Sequence, residues 1–456
     1  MTDIASPLRD AKPATGALRF AGLLRSSGLV LGARFAGVGL GLFMQVLLAR
    51  LMAPSDLGLF FMAMSVMMVL SIVHTLGYPM IVPRIVVDAL RDRTPGALAA
   101  FMGRARRDLL AISAVVSALA LAGVWLWPDL DHAARLCLSA GIAAAPFMAV
   151  MRLNGSLANA MRRFSLGFVP DLVVRPLLLV ALIAILWFVA PQFGVAAVVI
   201  GHVPIVIGLT VWQAARIRRH LVSQGLAAPD PKPASGNPWP MRRQAGSMLV
   251  AMLFTGVVAD LVLIFSGAMM DSHDVGVFGV CLKIAMIAAF AVQTVQQIAV
   301  RDTAEAVRSG DRAMLALVLG RANGLGVGLA LAGLAGTVLF GRFVLSIFGD
   351  AFVDGYACLV ILMAAQLLRA LAGPALQMLA LVGQERISIP VFGASLAMLA
   401  VANAALTPAF GIEGAAVAFL VVMGGWPFVL SWIVRARTGI DPIFGLGQLR
   451  AITGRA

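Results

Sequence analysis

Apolar stretches of about 20 residues recur along the whole chain, and about 20 helical residues are what a bilayer crossing requires. The sequence of 456 residues is 61% hydrophobic and only 12% charged, whereas a soluble domain carries roughly 25% charged residues. A soluble globule of this size would need more charged residues to cover its surface. Most of the surface of this protein must therefore face lipid. The apolar–polar alternation of a transmembrane β-barrel is absent. We therefore predict an all-α, polytopic membrane protein.

The pattern predicts about twelve transmembrane helices. Their approximate limits are 28–49, 57–82, 108–128, 132–152, 169–190, 194–214, 245–269, 275–300, 313–339, 356–383, 387–408 and 412–434. The polar stretch 152–168 fits an interfacial helix.

The segment 215–244 is the longest interruption after the N-terminal tail, and it is rich in proline and charge. It divides the spans into two sets of six with the same orientation, which suggests two lobes related by an axis along the membrane normal. We expect a central cavity between them, which rocking of the lobes opens to either side. The predicted regions are a basic cytoplasmic tail (1–27), an N-terminal six-helix lobe (28–214), a cytoplasmic linker (215–244), a C-terminal six-helix lobe (245–435) and a cytoplasmic tail (436–456).

The net charge of +14 comes mainly from arginines in alternate loops. This distribution follows the positive-inside rule, so both termini are predicted to be cytoplasmic. We therefore read the basic excess as topology and expect no nucleic-acid partner. The N-terminus lacks the features of a cleavable signal peptide, so we expect it to stay as a basic tail.

Motifs of catalysis are missing from the sequence. It contains no phosphate-binding GxxxxGK[ST] loop, no HExxH pair and no Ser–His–Asp grouping on an outer domain. Cys137, Cys281 and Cys358 lie in or beside apolar stretches and form no CxxC pair. We therefore predict no catalytic residue, no cofactor and no metal site. The expected protein is a transporter and not an enzyme.

Several charged residues are retained inside the predicted spans, although each costs about 2.5–3.5 kcal/mol at the bilayer centre. They must face water or pair with one another. These residues are Arg34, Asp171, Arg175, Asp260, Lys283 and Arg369.

Two predicted helices carry polar stripes. Arg34, Gly41 and Gln45 lie on one face of the first span, and Lys283 and Gln297 lie on one stripe of the eighth. Together with Arg369, these polar side chains are our candidates for a substrate-binding cavity. The alternative is a structural Arg34 paired with Asp260.

The role of Asp260 is left open by the sequence, as a proton or cation site or as the counter-ion of Arg34 or Lys283. Asp171 and Arg175 have the spacing of an ordinary intrahelical ion pair.

Four segments resemble one known family. At 46–58, VLLARLMAPSDLG resembles the end of the first helix in polysaccharide repeat-unit flippases, of the multidrug/oligosaccharidyl-lipid/polysaccharide exporter superfamily. Residues 259–284, 347–371 and 406–421 resemble later helix junctions of the same family. The matching positions are Arg50, Pro54, Asp56, Gly58 and Phe60, then Asp260, Val275, Gly276 and Phe278, and then Gly411, Gly414, Ala415 and Ala416.

The resemblance implies two six-helix lobes in a bacterial inner membrane. It also implies transport of a polyprenyl-pyrophosphate-linked oligosaccharide from the cytoplasmic to the periplasmic leaflet, with cavity cations binding the pyrophosphate. Membrane lipids and polysaccharide polymerase or export machinery are the partners it adds.

Three other functions compete with this interpretation. A cation-coupled drug antiporter of the same fold would favour acidic cavity residues. A peptidoglycan-precursor flippase should have two additional spans. A glycan polymerase or ligase needs a large outer loop, whereas the longest one predicted here has about 15 residues.

Overall fold

The computed structural model describes residues 16–91, 95–190, 192–224, 239–445 and 447–449. Within these ranges every regular element is a helix, as predicted. The α-helices of the N-terminal half are α1 (Gly16–Leu51), α2 (Pro54–His74), α3 (Tyr78–Arg91), α4 (Pro95–Leu126), α5 (His132–Ala160), α6 (Phe164–Val169), α7 (Arg175–Val189) and α8 (Val195–Ser223). Those of the C-terminal half are α9 (Trp239–Gly267), α10 (Ser272–Ser309), α11 (Arg312–Ser346), α12 (Tyr356–Ala372), α13 (Ala375–Leu381) and α14 (Ser388–Thr438).

Ten stretches of the described chain are long and apolar enough to cross a membrane. The last of them, 385–438, is 54 residues long. It contains two of the predicted spans, because the backbone of α14 breaks at Gly411, where φ is 57° and ψ is −134°. The remaining predicted span, 28–49, falls on α1, whose apolar part within the described residues is the shorter stretch Phe35–Leu51. The chain is thus a multi-pass membrane protein.

Helix ends differ from the predicted limits mainly where polar residues continue a helix. The predicted span 132–152 is the first part of α5, which continues to Ala160. The predicted span 57–82 is two helices, because Leu76 and Gly77 both adopt positive φ between α2 and α3. Of the predicted linker, both ends are helical, since α8 reaches Ser223 and α9 starts at Trp239; residues 225–238 lie outside the described part.

Aspartates start three of the long helices. The side chain of Asp131 accepts a hydrogen bond from the backbone of Ala134, and Asp271 and Asp311 cap α10 and α11 in the same way. Each cap satisfies a backbone amide that the helix itself leaves without a partner. The positions of these loops are therefore fixed locally by the sequence.

Helices α1–α8 form one lobe and α9–α14 form the other. Helix α2 lies at the junction, because it packs on α5 in its own lobe and on α9 and α10 across the interface. The largest cluster of buried apolar side chains includes residues from both lobes, among them Phe61 and Phe278. The lobes therefore share a core, and the polar residues at their junction are held by packed helices.

Candidate functional site

A cavity of about 800 Å³ lies between the two lobes. Its first wall comes from α1, α3, α5 and the α6–α7 region, and its second wall comes from α9 and α10. Gln297, one of the predicted site residues, lines the second wall together with Phe290 and Gln293. The volume lies in the range of small-molecule sites. The cavity can therefore hold a polar group the size of a small ligand.

Arg152 is the cation on the wall of this cavity that the sequence analysis missed. Its Nε donates to Oγ of Ser71 at 2.9 Å, and a terminal nitrogen lies 3.1 Å from Sδ of Met68. Both partners are neutral, so the positive charge of Arg152 is positioned by α2 without being neutralised there. The predicted span 132–152 ends at Arg152 and so placed this residue at the membrane surface. In the structure, α5 continues for two further turns beyond Arg152.

Asp171 also lines the cavity, and its carboxylate binds Nε of Arg175 at 2.8 Å. The pair has the predicted i,i+4 spacing, but it lies at a π-helical turn, Pro170–Val174, between α6 and α7. Such turns widen a helix locally and are frequent at functional sites. Among the described residues, the ion pair of Asp171 is thus made with Arg175 and not with Arg152.

Arg369 lies on α12 in the opposite lobe, and its side chain reaches toward the cavity through Gln293. With its amide oxygen turned to the guanidinium, Gln293 accepts two hydrogen bonds from Arg369 at 2.8 and 3.1 Å. Within the described part of the structure, no carboxylate forms an ion pair with Arg369 or with Arg152. Each lobe therefore holds one arginine close to the cavity with neutral hydrogen-bond partners.

A smaller cavity of about 230 Å³ lies between α1 and α10. It is lined by Gly41, Gln45 and Lys283. Gly41 and Gln45 belong to the predicted polar face of the first span, and Lys283 belongs to that of the eighth. Gly37 and Val38 line both this space and the central cavity. The structure thus brings Gln45 and Lys283 together beside the main site. The side chain of Arg34 lies outside the described residues.

Lys283 and Asp260 form an ion pair between α10 and α9, with Nζ 3.7 Å from Oδ1. The same Oδ1 accepts a hydrogen bond from Oγ of Ser65 on α2 at 3.0 Å. Of the two counter-ions considered for Asp260, Lys283 is in contact with it, and the side chain of Arg34 lies outside the described part. Because Ser65 belongs to the other lobe, the cluster also joins the two lobes.

The lobes meet closely at the end of the molecule where α2 begins, which the charge pattern predicts to be periplasmic. A Cβ atom at Gly58 would overlap the carbonyl oxygen of Ser272, and one at Gly276 would overlap that of Pro54. Arg50 closes the same end by donating to the carbonyl oxygens of Ser346 and Ile347 at 2.7 Å each. This glycine contact and arginine bridge, hereafter the outer contact, join the lobes at that end.

A second bridge joins the lobes at the opposite end, beside α3. Arg242 of α9 binds the carboxylate of Asp108 on α4 with two hydrogen bonds, of 2.9 and 2.6 Å. Tyr78 donates to the same carboxylate at 2.6 Å. Burial, together with that hydrogen bond, raises the pKa of Tyr78 above its usual value, so the hydroxyl stays a donor. We call these three residues the inner bridge.

Comparisons with known proteins identify the fold. No family profile matches the sequence, and no curated protein is significantly similar to it. Among solved structures, the lipid II flippase MurJ in an inward closed conformation is similar to this chain, with 14% identity and a TM-score of 0.70. The match covers 94% of this chain and 90% of the MurJ chain. An inward-facing multidrug resistance MATE family transporter of the MOP superfamily matches over 87% of this chain and 93% of its own, with 12% identity and a TM-score of 0.65.

A MATE structure in the bent conformation is also similar, with 15% identity, a TM-score of 0.59, and 93% of this chain and 97% of that one covered. The chain therefore has the two-lobed helical fold seen in MurJ and in MATE transporters. Arg152 lines the cavity between its lobes, and Arg369 contacts the cavity wall through Gln293.

Proposed function

We propose that this protein is a flippase that moves a polyprenyl-pyrophosphate-linked oligosaccharide from the cytoplasmic to the periplasmic leaflet of a bacterial inner membrane. The observation that carries the proposal is the pair Arg152 and Arg369, one from each lobe and neither in an ion pair with a described carboxylate. Two membrane-embedded cations are costly to keep. An anionic ligand between them offsets that cost when it is bound.

A pyrophosphate suits this arrangement because guanidinium groups bind phosphate oxygens with paired, charge-assisted hydrogen bonds. Gln293, Gln297, Ser156 and Asn159 add neutral donors and acceptors to the cavity walls, as sugar hydroxyls require. Neither a sugar nor a pyrophosphate can enter hydrocarbon without replacing its hydration. The polar cavity supplies that replacement while the polyprenyl chain stays in the bilayer.

The two ends of the molecule support transport by alternating access. The outer contact depends on main-chain packing of Gly58 and Gly276, and the inner bridge depends on one carboxylate and one guanidinium. Each can separate without unfolding a helix. We infer that the lobes rock about α2, opening one end while the other is closed.

A cation-coupled antiporter for drugs or other small molecules is the second candidate, because the fold is also that of MATE transporters. Such a protein would favour a free carboxylate in the cavity for a cationic substrate. Here the two acids that the sequence analysis singled out inside the spans are already paired, Asp171 with Arg175 and Asp260 with Lys283. The charge of the cavity walls therefore favours an anionic substrate.

Deletion of the gene in its native host tests the proposal directly. We expect surface or secreted polysaccharide to be lost, and lipid-linked oligosaccharide to accumulate in the cytoplasmic leaflet. Complementation with Arg437→Gln, which removes an exposed arginine far from the cavity, is the matched control for complementation with Arg152→Gln. Unchanged polysaccharide together with altered drug resistance would contradict the flippase and favour the antiporter.

A further inference from the structure

A basic pocket of about 390 Å³ lies on the outside of the N-terminal lobe, away from the central cavity. The turn between α5 and α6 contributes Arg163, the start of α6 contributes Ser165 and Leu166, and the end of α8 contributes Trp212, Arg216, Arg219 and His220. The lining contains no acidic residue. Several cations are thus gathered around one open space, and none of the residues proposed for transport is among them.

The position of this pocket along α8 places it at a membrane surface. The exposed face of α8 runs through Ile200, Pro204 and Gly208 to Trp212, and it continues to Arg216 and Arg219. The stretch 195–212 spans roughly 27 Å of helix, close to the thickness of the hydrocarbon core. Tryptophan is enriched where hydrocarbon meets head groups. The arginines one and two turns beyond Trp212 therefore lie at head-group level.

Contacts within the pocket orient its cations. The guanidinium carbon of Arg216 lies 5.7 Å from the centre of the Trp212 ring, which is a cation–π contact. Nε of Arg163 donates to Nε2 of His220 at 3.3 Å. No carboxylate of the described chain forms an ion pair with Arg163, Arg216 or Arg219. The charges of Arg163 and Arg216 are held in place by these contacts, and an anion from outside can reach them and Arg219.

We propose that this pocket is a binding site for the head group of an anionic phospholipid. Its phosphodiester contacts Arg163, Arg216 and Arg219, and its acyl chains lie along the apolar face of α8 that ends at Trp212. A soluble phosphate would satisfy the arginines but would leave that adjoining apolar face unused. Basic pockets at the cytoplasmic ends of transmembrane helices suit such head groups.

Lipid titrations of the full-length protein in detergent, followed by native mass spectrometry, test the site. Phosphatidylglycerol and phosphatidylcholine with identical acyl chains are the probes. We expect the double substitution Arg216→Gln and Arg219→Gln to weaken phosphatidylglycerol binding about 25-fold, because each arginine near a lipid surface contributes about a fivefold factor. Phosphatidylcholine binding should not change.

The matched control is the double substitution Arg218→Gln and Arg243→Gln, which removes two exposed arginines near the same end of the molecule but outside the pocket. It should retain the phosphatidylglycerol preference. Equal loss in both double variants would show a diffuse charge effect and overturn the site. Unchanged binding in the pocket variant would overturn it as well. Displacement of phosphatidylglycerol by millimolar inorganic phosphate would assign the pocket to a soluble anion instead.

Discussion

Arg152 and Arg369 are held near the central cavity by neutral groups, a serine hydroxyl and a thioether for one and a glutamine amide for the other. Asp171 lies on the wall of the same cavity as Arg152, but it forms its ion pair with Arg175. Asp171 and Lys283 differ, because each already has a charged partner. At the scale of single residues, the strongest anion-binding groups are therefore the two arginines.

The pair of Asp260 and Lys283 should act mainly on stability. Replacing Asp260 with Asn leaves the partly buried ammonium without its counter-ion, and we expect a loss of about 1–3 kcal/mol. Adding Lys283→Gln to that variant removes the unpaired charge, and the double variant should recover most of the lost stability. Thermal unfolding in detergent measures both steps, with Lys283→Gln alone as the control. An equal loss in the single and double variants would contradict the pairing.

Sequence reasoning found some of these residues and missed others for a physical reason. Lys283, Gln45 and Gln297 were predictable because charge and amide groups inside an apolar span must face protein or water. Arg152 was missed because an arginine beside Asn154 looks like the end of a span. Which neighbours each charge contacts depends on the packing of distant helices, and hydropathy does not encode that packing.

At the scale of helices, the outer contact is the tightest junction between the lobes. Gly58 of α2 and Gly276 of α10 bring main chain against main chain, and Arg50 of α1 binds the last carbonyl groups around the end of α11. Cationic groups are favourable at that end of a helix dipole. The same positions carry much of the sequence resemblance to polysaccharide flippases, which gives those motif residues a structural role.

Enlarging the two glycines should open the outer contact. The double substitution Gly58→Ala and Gly276→Ala places methyl groups where carbonyl oxygens now lie, with a cost of about 1–3 kcal/mol for overpacking. We expect a cysteine introduced at Gln45 to react faster with a membrane-impermeant maleimide applied from outside. The three native cysteines are buried, so their background is low. Gly39→Ala, a position with open space around it, is the matched control.

The maleimide experiment has a clear contradicting result. If the Gln45 cysteine reacts at the same rate in the double glycine variant and in the Gly39→Ala control, the outer contact does not limit access. The role assigned to Gly58 and Gly276 would then be wrong, whatever substrate the protein moves.

The inner bridge should contribute by direct coupling between Asp108 and Arg242. We expect the two substitutions Asp108→Asn and Arg242→Gln together to destabilise the protein less than the sum of their separate effects, since either one alone already breaks the two charge-assisted hydrogen bonds. Unfolding midpoints of the four proteins provide the measurement. Strictly additive effects would show that the contact does not join the lobes energetically.

For the whole molecule, the apolar spans could be predicted because the bilayer fixes the length of each crossing helix. The two-lobed plan followed from the position of the polar interruption between the sixth and seventh spans. The shape of the cavity could not be predicted, because it depends on breaks such as the turn at Gly77 and the π-helical turn at Pro170–Val174. These breaks set the directions of the axes of α3 and α7, which cannot be predicted from hydrophobic periodicity alone.

The most direct test is a measurement of how tightly the purified protein binds polyprenyl pyrophosphate, compared with the uncharged polyprenol of the same length. We expect the wild-type protein to prefer the pyrophosphate. The double substitution Arg152→Gln and Arg369→Gln should weaken pyrophosphate binding at least about a hundredfold, because each charge-assisted contact contributes about 1.5–3 kcal/mol. Binding of the polyprenol, and both affinities of the Arg437→Gln control, should stay unchanged. Equal pyrophosphate affinity in the folded double variant and the wild type would contradict the proposal that these arginines recognise the substrate.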